Sequence, residues 1–329
     1  MTSFSVRTFG CRVNQAEAFS WVCGLQSRGL TYVPDVRRSD IVVVNTCTLT
    51  GRADRDVRRF LNRMARENPE ARLILTGCYT ERYADDLRAN PQIWQVVRNE
   101  EKENLPDRIL SWGGLQKKTP FRHYRSRALV KVQDGCDFRC SFCIIPQVRG
   151  RSVSLAPEKV VQKVGDCTRQ GFREIVLTGI HLCSYGRDLK PEISFMDLLR
   201  DIEKVEGLGK IRLSSLDPRF LNRDLCDFIT SHPKICPHFH LSLQHGTENV
   251  LRRMGRHVRV ADYRQILWDL RDKSPHASLG TDIIVGFPEE TEKDFEEMLR
   301  FLHETPPVSY THLRAHETVL DLVCRLLLE

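Results

Sequence analysis

No stretch of this sequence comes near the roughly 20 consecutive apolar residues that a membrane-spanning helix requires. The N-terminal MTSFSVRTFGC also lacks the apolar run of a secretory signal. The expected compartment is therefore the cytoplasm, with no membrane partner. A reducing cytoplasm leaves little room for disulfides, so the twelve cysteines of the 329-residue chain ask for another explanation. Metal or redox chemistry is what grouped cysteines support. A fourth cysteine is missing where one is expected, because GCDFRCSFC (135–143) holds three. A closed zinc site or a complete iron–sulfur ligand set takes four protein ligands. Three at the spacing C-x3-C-x2-C either borrow a fourth from far away or leave one metal position open.

Apolar residues make up 41% of the chain and charged residues 28%, the balance of an ordinary globular protein. The length suits two domains. A formal net charge of +7 favours an anionic partner, with nucleic acid first.

The first third alternates strands and helices. FSVRTF (4–9), IVVVNT (41–46) and LILTG (73–77) are short β-rich apolar runs. One helical pattern begins near Asn14 as a cap, carries Phe19, Val22 and Cys23 on one face, and stops at Gly29. Another covers about 52–67, with Val57, Phe60, Leu61 and Met64 at helical spacing before Asn68-Pro69. The alternation predicts a Rossmann-like parallel sheet over residues 1–112. Residues 113–127, with Gly-Gly, Pro and basic side chains but no periodicity, read as a linker. Strand signals resume in ALVKVQDG (128–135), EIVLTG (174–179), KIRLSS (210–215), HFHLSLQ (238–244) and TDIIVGF (281–287), with helical stretches such as 157–171 between them. The fold class is α/β, with a partial (β/α) barrel over 128–307 whose function lies at the C-terminal strand ends. A second doubly wound open sheet is the alternative architecture.

Two cysteine sets emerge. Cys136, Cys140 and Cys143 follow the first barrel strand at a spacing too short for a regular helix, so a loop must wrap any metal. Three thiolates can hold three irons of a four-iron cluster; a zinc site completed from afar, or three unrelated cysteines, are the alternatives. Cys11, Cys47 and Cys78 each follow a strand of the N-terminal sheet by a residue or two. One strand–helix unit separates each from the next, which puts all three on one sheet edge, where ligands bind in such folds. A single cysteine there reads as a small buried residue, whereas three in matched positions point to a second metal site. Cys23, Cys167, Cys183, Cys226, Cys236 and Cys324 show no partner pattern and are expected to be buried, with Cys183 in a strand-end loop.

These motifs resemble the radical S-adenosylmethionine (SAM) methylthiotransferases. C-x3-C-x2-C with Phe142 before its last cysteine resembles their radical-SAM signature, and TFGCRVNQAE, VVVNTCTLT and LTGCYTE resemble their three-cysteine domain. The resemblance runs from residue 1 to about 305. It implies two [4Fe-4S] clusters, on Cys136, Cys140 and Cys143 and on Cys11, Cys47 and Cys78, with the open iron of the first chelated by the amino and carboxylate groups of SAM. The first cluster would reduce SAM to a 5′-deoxyadenosyl radical, and the second would carry the sulfur that a second SAM methylates. The two sites are expected to face one another across the substrate base. CIIPQVRGRS, LTGIHLCSYG and the GCRVN form of the first motif resemble the branch that acts on N6-threonylcarbamoyladenosine beside the tRNA anticodon. The branches acting on isopentenyladenosine tRNA or on a ribosomal protein are the rivals. The implied partners are tRNA and a one-electron reductant such as flavodoxin or ferredoxin, and the chain is expected to be a monomer. A non-catalytic metal-stabilised nucleic-acid-binding protein is the reading from a different class.

The segments TGIH (178–181), LSSLDP (213–218), SLQHG (242–246) and IVGFP (284–288) resemble the SAM-lining strand ends of that family. Phe142, Gly179, Ser215, Gln244 and Gly286 are the candidate cofactor contacts, the glycines allowing close backbone approach. His245 departs from the family pattern and reads as a surface residue. Arg52, Arg55, Arg59, Arg63 and Arg66 step by three or four residues into one stripe without an interleaved acid, a candidate RNA phosphate contact. Arg149 and Arg151 are similar candidates, with a charge pair to a nearby acid as the equal alternative. From residue 308 the resemblance ends, and VSYTHLRAHETVLDLVCRLLLE (308–329) reads as a non-native tail on a truncated gene.

Overall fold

A parallel strand covered on both faces shows no polar side, and Ile41–Thr46 is such a strand, buried along its whole length. It is central to the first of two compact units, Met1–Arg125 with Gln147–Arg149 and Ser126–Pro146 with Gly150–Glu329. The computed structural model describes residues 2–113, 126–305 and 309–314. In the first unit β1 (Ser3–Thr8), α1 (Arg12–Ser27), β2 (Thr31–Tyr32), β3 (Ile41–Thr46), α2 (Gly51–Glu67), β4 (Arg72–Gly77), α3 (Cys78–Arg88), β5 (Ile93–Val97) and α4 (Leu105–Gly113) follow one another. Their strands form one parallel sheet in the order β2-β1-β3-β4-β5.

Side-chain alternation along β3 divides the core. Ile41 and Val43 pack with Phe4, Trp21, Leu25 and Ile109 on one face. Val42 and Val44 pack with Val57, Phe60, Met64 and Leu87 on the other. The Thr50 hydroxyl caps α2 by accepting from Ala53 N at 3.2 Å, and Pro69 forbids its continuation. The expected cap at Asn14 is not one. Cys11 occupies that position, and Asn14 lies inside α1, wholly buried.

From Ser126 onward the chain forms β6 (Arg127–Asp134), α5 (Ile145–Val148), β7 (Val153–Ser154), α6 (Pro157–Arg169), β8 (Glu174–Gly179), α7 (Phe195–Glu203), β9 (Lys210–Leu213), α8 (Arg223–Ser231), β10 (His238–His240), α9 (Glu248–Arg253), α10 (Val260–Lys273), β11 (Ser278–Val285), α11 (Glu292–Glu304) and β12 (Ser309–Arg314). β6, β8 and β9 pair in parallel, with β7 antiparallel on the edge of β6. β10, β11 and β12 form a second parallel set. Parallel bridges Ile211–Ile235 and Leu216–Leu241 connect the two sets, so the parallel strands from β6 to β12 curl into a half barrel. The doubly wound alternative for this half of the chain is thereby set aside. Regular pairing of HFHLSLQ stops at His240, and Gln244 at its end has φ +85°.

Most of the linker reading falls on 114–125, outside the described residues, as do 308 and 315–329 of the tail reading. Ser309–Arg314 of that tail is a strand registered in parallel on β11. Among the described residues, no helix is long and apolar enough to cross a membrane.

Two glycines with positive φ separate backbone strain from crowding. At Gly171 (φ +95°) an added Cβ meets nothing within 4 Å, whereas at Gly77 (φ +101°) it would lie 2.3 Å from the Thr46 carbonyl oxygen. Gly171→Ala is expected to lower the free energy of unfolding by about 1–2 kcal/mol. Gly77→Ala is expected to lower it further, because Thr46 must also move. Equal losses in urea titrations of the two variants would refute the crowding argument.

Candidate functional site

From β1 the chain winds one way to β2, while β3 lies on the other side of β1. Ligands of such sheets bind beside this switch, at the C-terminal strand ends. Cys11 stands three residues past β1, while Cys47 and Cys78 directly follow β3 and β4. Glycines let these ends close up. A Cβ on Gly10 (φ +86°) would lie 2.4 Å from Cys47 Sγ, so the chain before Cys11 touches the Cys47 sulfur. Cys47 is pushed up to about 12, chiefly by burial, with Cys11 and Cys78 adding to it. Cys78 is raised by burial against the opposing charges of Arg149 and Lys102.

Asn14 ties two of the three ends together. Its Nδ2 donates to the Phe9 carbonyl at 2.8 Å and to the Thr46 carbonyl at 2.9 Å. Arg149 reaches the third, donating from Nε to Cys78 Sγ at 3.3 Å, with its other nitrogens on Glu17 Oε1 and Asn14 Oδ1. Its side chain is 1% exposed. Arg149 is therefore withdrawn as an RNA contact, since a guanidinium enclosed by these groups does not meet a phosphate at the surface. Arg151 is exposed. On α2, Arg52, Arg55, Arg59, Arg63 and Arg66 are exposed opposite the buried Val57, Phe60, Leu61 and Met64. The stripe does contain acids. Asp56 lies 4.0 Å from both Arg52 and Arg59, and Glu67 lies 3.8 Å from Arg63. The helical spacing that aligns the arginines aligns these acids with them.

In the second unit, residues 135–144 leave β6 without regular structure and carry Cys136, Cys140 and Cys143. Backbone bonds fix this loop: Cys136 N to Gly150 O at 3.1 Å, Ser141 N to Met254 O at 3.1 Å and Cys143 N to Cys140 O at 3.0 Å. The Ser141 hydroxyl adds a bond to Arg253 O at 3.1 Å. Cys143 is pushed up to about 12 by burial, with Cys140 and Cys136 contributing. Burial also raises Cys136, against the charge of Arg219.

The predicted SAM-lining positions share the C-terminal strand edge with this loop. Phe142 is half-buried within it. Gly179 ends β8, and a Cβ there would lie 3.0 Å from Gln133 Oε1. Ser215 is exposed just past β9, Gln244 is half-buried and bridges to Ile283 of β11, and Gly286 (φ +68°) has open space where its Cβ would stand. The sequence reading missed Gln133. It accepts from His181 N at 2.8 Å and donates to Gly135 O and Ser152 Oγ, each at 2.8 Å, linking TGIH to the cysteine loop.

Asp217 is the second residue missed. It takes His181 Nε2 at 3.0 Å, Arg219 Nε at 2.9 Å and Nη2 at 2.7 Å, and Arg256 Nη2 at 3.3 Å. Burial opposes its ionisation, but the bonds from His181 and Arg219 and the charge of Arg256 outweigh it and hold the carboxyl far below the usual range. The Arg219 guanidinium lies 4.2 Å from the ring centre of Phe138 in the cysteine loop, and His181 lies 4.8 Å from the same ring. His245 corrects an expectation. It is fully buried, accepting at Nδ1 from Thr247 N at 3.1 Å with Nε2 3.3 Å from Glu290 Oε1. Glu290 in turn accepts from Phe287 N at 2.8 Å, so this pair fastens SLQHG to IVGFP. Of the remaining cysteines, Cys183, Cys226 and Cys236 are buried, Cys23 and Cys167 only half-buried, and Cys324 lies outside the described residues.

Among the described residues, no three Cys, His, Asp or Glu side chains already stand as a ready metal-ligand group. The donor chemistry decides the fit. Thiols are the soft ligands that iron–sulfur groups take, and each triad gathers them at one strand edge. Buried polar atoms there lack hydrogen-bond partners: Asn45 Oδ1, Thr48 Oγ1 and Thr76 Oγ1 in the first unit, and Thr178 Oγ1, His181 Nδ1, Ser214 Oγ and Arg256 Nε in the second. The residues fit an iron–sulfur group in each place, and a polar cofactor beside the second.

Asp217→Asn leaves the buried Arg256 and the half-buried Arg219 without their anion, and at pH 7 it is expected to cost about 3 kcal/mol of stability. Because the folded-state pKa of Asp217 is depressed, its contribution is complete above the unfolded value of about 3.9 and fades as pH falls below it. The gap between parent and variant in denaturant titrations should narrow on the acid side. A gap independent of pH would assign the loss to packing.

Residues 130–302 match the radical SAM superfamily, and residues 3–98 match the uncharacterized protein family UPF0004. Threonylcarbamoyladenosine tRNA methylthiotransferase MtaB of Thermotoga maritima is 33% identical over 319 residues, covering 92% of this chain and 72% of that protein. MtaB of Aquifex aeolicus is 35% identical over 323 residues, covering 93% and 78%. Among solved structures, the radical SAM methyltransferase TsrM from Kitasatospora setae superposes with a TM-score of 0.66 at 13% identity, covering 95% of this chain and 73% of that one. The cobalamin-dependent SAM radical enzyme OxsB gives 0.61 at 12% identity, covering 99% and 55%. These two likenesses establish the fold. SAM and a [4Fe-4S] cluster are the cofactors that radical SAM membership entails. With a third of its residues shared along nine-tenths of its length, the chain belongs to the radical-SAM methylthiotransferases of the MtaB family.

Proposed function

We propose that this enzyme adds a methylthio group to carbon 2 of N6-threonylcarbamoyladenosine beside the anticodon of tRNA, using SAM and two [4Fe-4S] clusters. The observation that carries the reading is the presence of a thiol triad at the C-terminal strand edge of each unit. The names of the relatives and the GCRVN, CIIPQVRGRS and LTGIHLCSYG segments support this choice of substrate.

Cys136, Cys140 and Cys143 would hold one cluster, and Cys11, Cys47 and Cys78 the other. An unactivated aromatic C–H is beyond acid–base chemistry by side chains, so the cofactors, once bound, would supply the one-electron chemistry and the sulfur. The chain supplies position. Gln133 fixes the start of the cysteine loop against TGIH, and Asp217 holds His181 and Arg219 beside Phe138. Phe142, Gly179, Ser215, Gln244 and Gly286 would line the SAM site. The exposed Arg52, Arg55, Arg59, Arg63 and Arg151 would meet RNA phosphates, and a flavodoxin or ferredoxin would deliver electrons.

After anaerobic reconstitution the parent should bind about eight irons per chain, falling to about four when either triad is changed to alanine. Nucleoside analysis of tRNA from cells expressing the parent should contain the methylthio derivative of threonylcarbamoyladenosine. Tightly bound zinc without iron would overturn the reading. For the α2 stripe, Arg55→Glu with Arg59→Glu should weaken tRNA binding and flatten its salt dependence by roughly two units of log–log slope. An unchanged slope would remove those arginines from the interface.

A further inference from the structure

Cys11, Cys47 and Cys78 leave three different strands, so a ligand-binding triad needs something to hold their loops in register. The first unit contains such a device, and its ends are two polar side chains. Asn14, one turn into α1, donates to the carbonyls of Phe9 and Thr46, the residues two before Cys11 and one before Cys47. The Cys11 thiol itself lies 3.9 Å from Asn14 Oδ1. Arg149 bonds to that same Asn14 oxygen and, through Nε, to Cys78 Sγ at 3.3 Å. A planar guanidinium presents its N–H groups in a fixed fork, so seating two branches sets the third. Glu17 supplies the seat. Its Oε1 accepts from Arg149 Nη1 at 3.3 Å and lies 2.8 Å from Lys102 Nζ, and its Oε2 accepts from Asn45 Nδ2 at 3.0 Å. Lys102 and Glu17 have side chains 2% and 4% exposed, so this arrangement is held away from water.

We propose that Arg149 is a positioning residue of the first-unit thiol triad: through Asn14 and Cys78 it holds the three cysteine loops in register, and its N–H on the Cys78 sulfur raises the reduction potential of the iron–sulfur group those thiols bind. The potential of such a group depends on hydrogen bonds to its sulfurs and on its exposure. A charge-bearing donor on a ligand sulfur stabilises the extra electron of the reduced state, so removing it moves the potential in the negative direction. Lysine keeps the charge but is a point donor without the fork, and should restore only part of the effect. The inference rests on the reading that this triad holds a cluster.

The test uses the 329-residue chain with Cys136, Cys140 and Cys143 changed to Ala, so that any iron reports on the first unit alone. Iron is counted after anaerobic reconstitution, and the midpoint potential is taken from a redox titration followed by electron paramagnetic resonance. With Arg149 present, about four irons are expected; none would sink the two-cluster reading itself, whatever Arg149 does. In Arg149→Met, retained iron with a more negative midpoint supports the proposal, and retained iron at the parent midpoint overturns it. If Arg149→Met loses its iron, Arg149→Lys decides. Iron recovered at a midpoint below that of the parent supports the proposal. Iron recovered at the parent midpoint refutes it; iron lost again supports the register role where circular dichroism is unchanged, and refutes it where the spectrum is lost as well, since Arg149 then serves the fold and not the triad.

Discussion

Parallel strands cannot be joined by a tight turn; each must be reached by a crossover through the other side of the sheet. All their C-terminal ends therefore emerge along one edge, and all the return helices begin there. Both units of this enzyme are built under that constraint, and the residues with chemistry collect at that edge in both. Cysteines more than thirty residues apart, Cys11, Cys47 and Cys78, are thereby brought to one edge. The same geometry places Cys11 at the N-cap position of α1 and Cys78 at the first residue of α3. Burial raises Cys78, and the charges of Arg149 and Lys102 oppose it.

Charge is handled alike in the two places. Asp217 lies among His181, Arg219 and Arg256, and Glu17 lies among Lys102, Arg149 and Asn45. Buried ion pairs contribute little net stability compared with apolar packing of the same volume. Their use here is geometric. A carboxylate with several donors around it fixes the direction of every one of them, and those donors include the groups nearest the cysteine loops.

How much of this was legible depends on residue type. The β-branched runs of β3, β4 and β8 declare themselves, and cysteine is scarce enough that three at matched strand ends stand out. β5, with its run IWQVV after Asn90-Pro91, carries a signal of the same kind, whereas β2 and β7 are two residues long and too short for any periodicity. Asn14, Gln133 and Asp217 are polar residues of kinds common on every surface, and only tertiary structure tells a buried hub from a solvated side chain. His245 illustrates the same limit, because its acid partner comes from beyond the next strand. Arg149 was noticed for its charge, but the acid that claims it, Glu17, lies at the other end of the first unit's sequence. The Gly-Cys pairs were readable in principle, since a glycine before each of two strand-end cysteines suggests backbones in close approach.

The first unit is discontinuous: it takes Met1–Arg125 together with the three residues Gln147–Arg149, supplied by chain that has already entered the second. A fragment cut after the last helix of the first unit would leave Glu17, Asn14 and the Cys78 sulfur facing an arginine that stayed behind on the other piece. A gene cut at the intervening segment would therefore encode a first unit whose thiol edge has no guanidinium, although every one of its strands and helices is present.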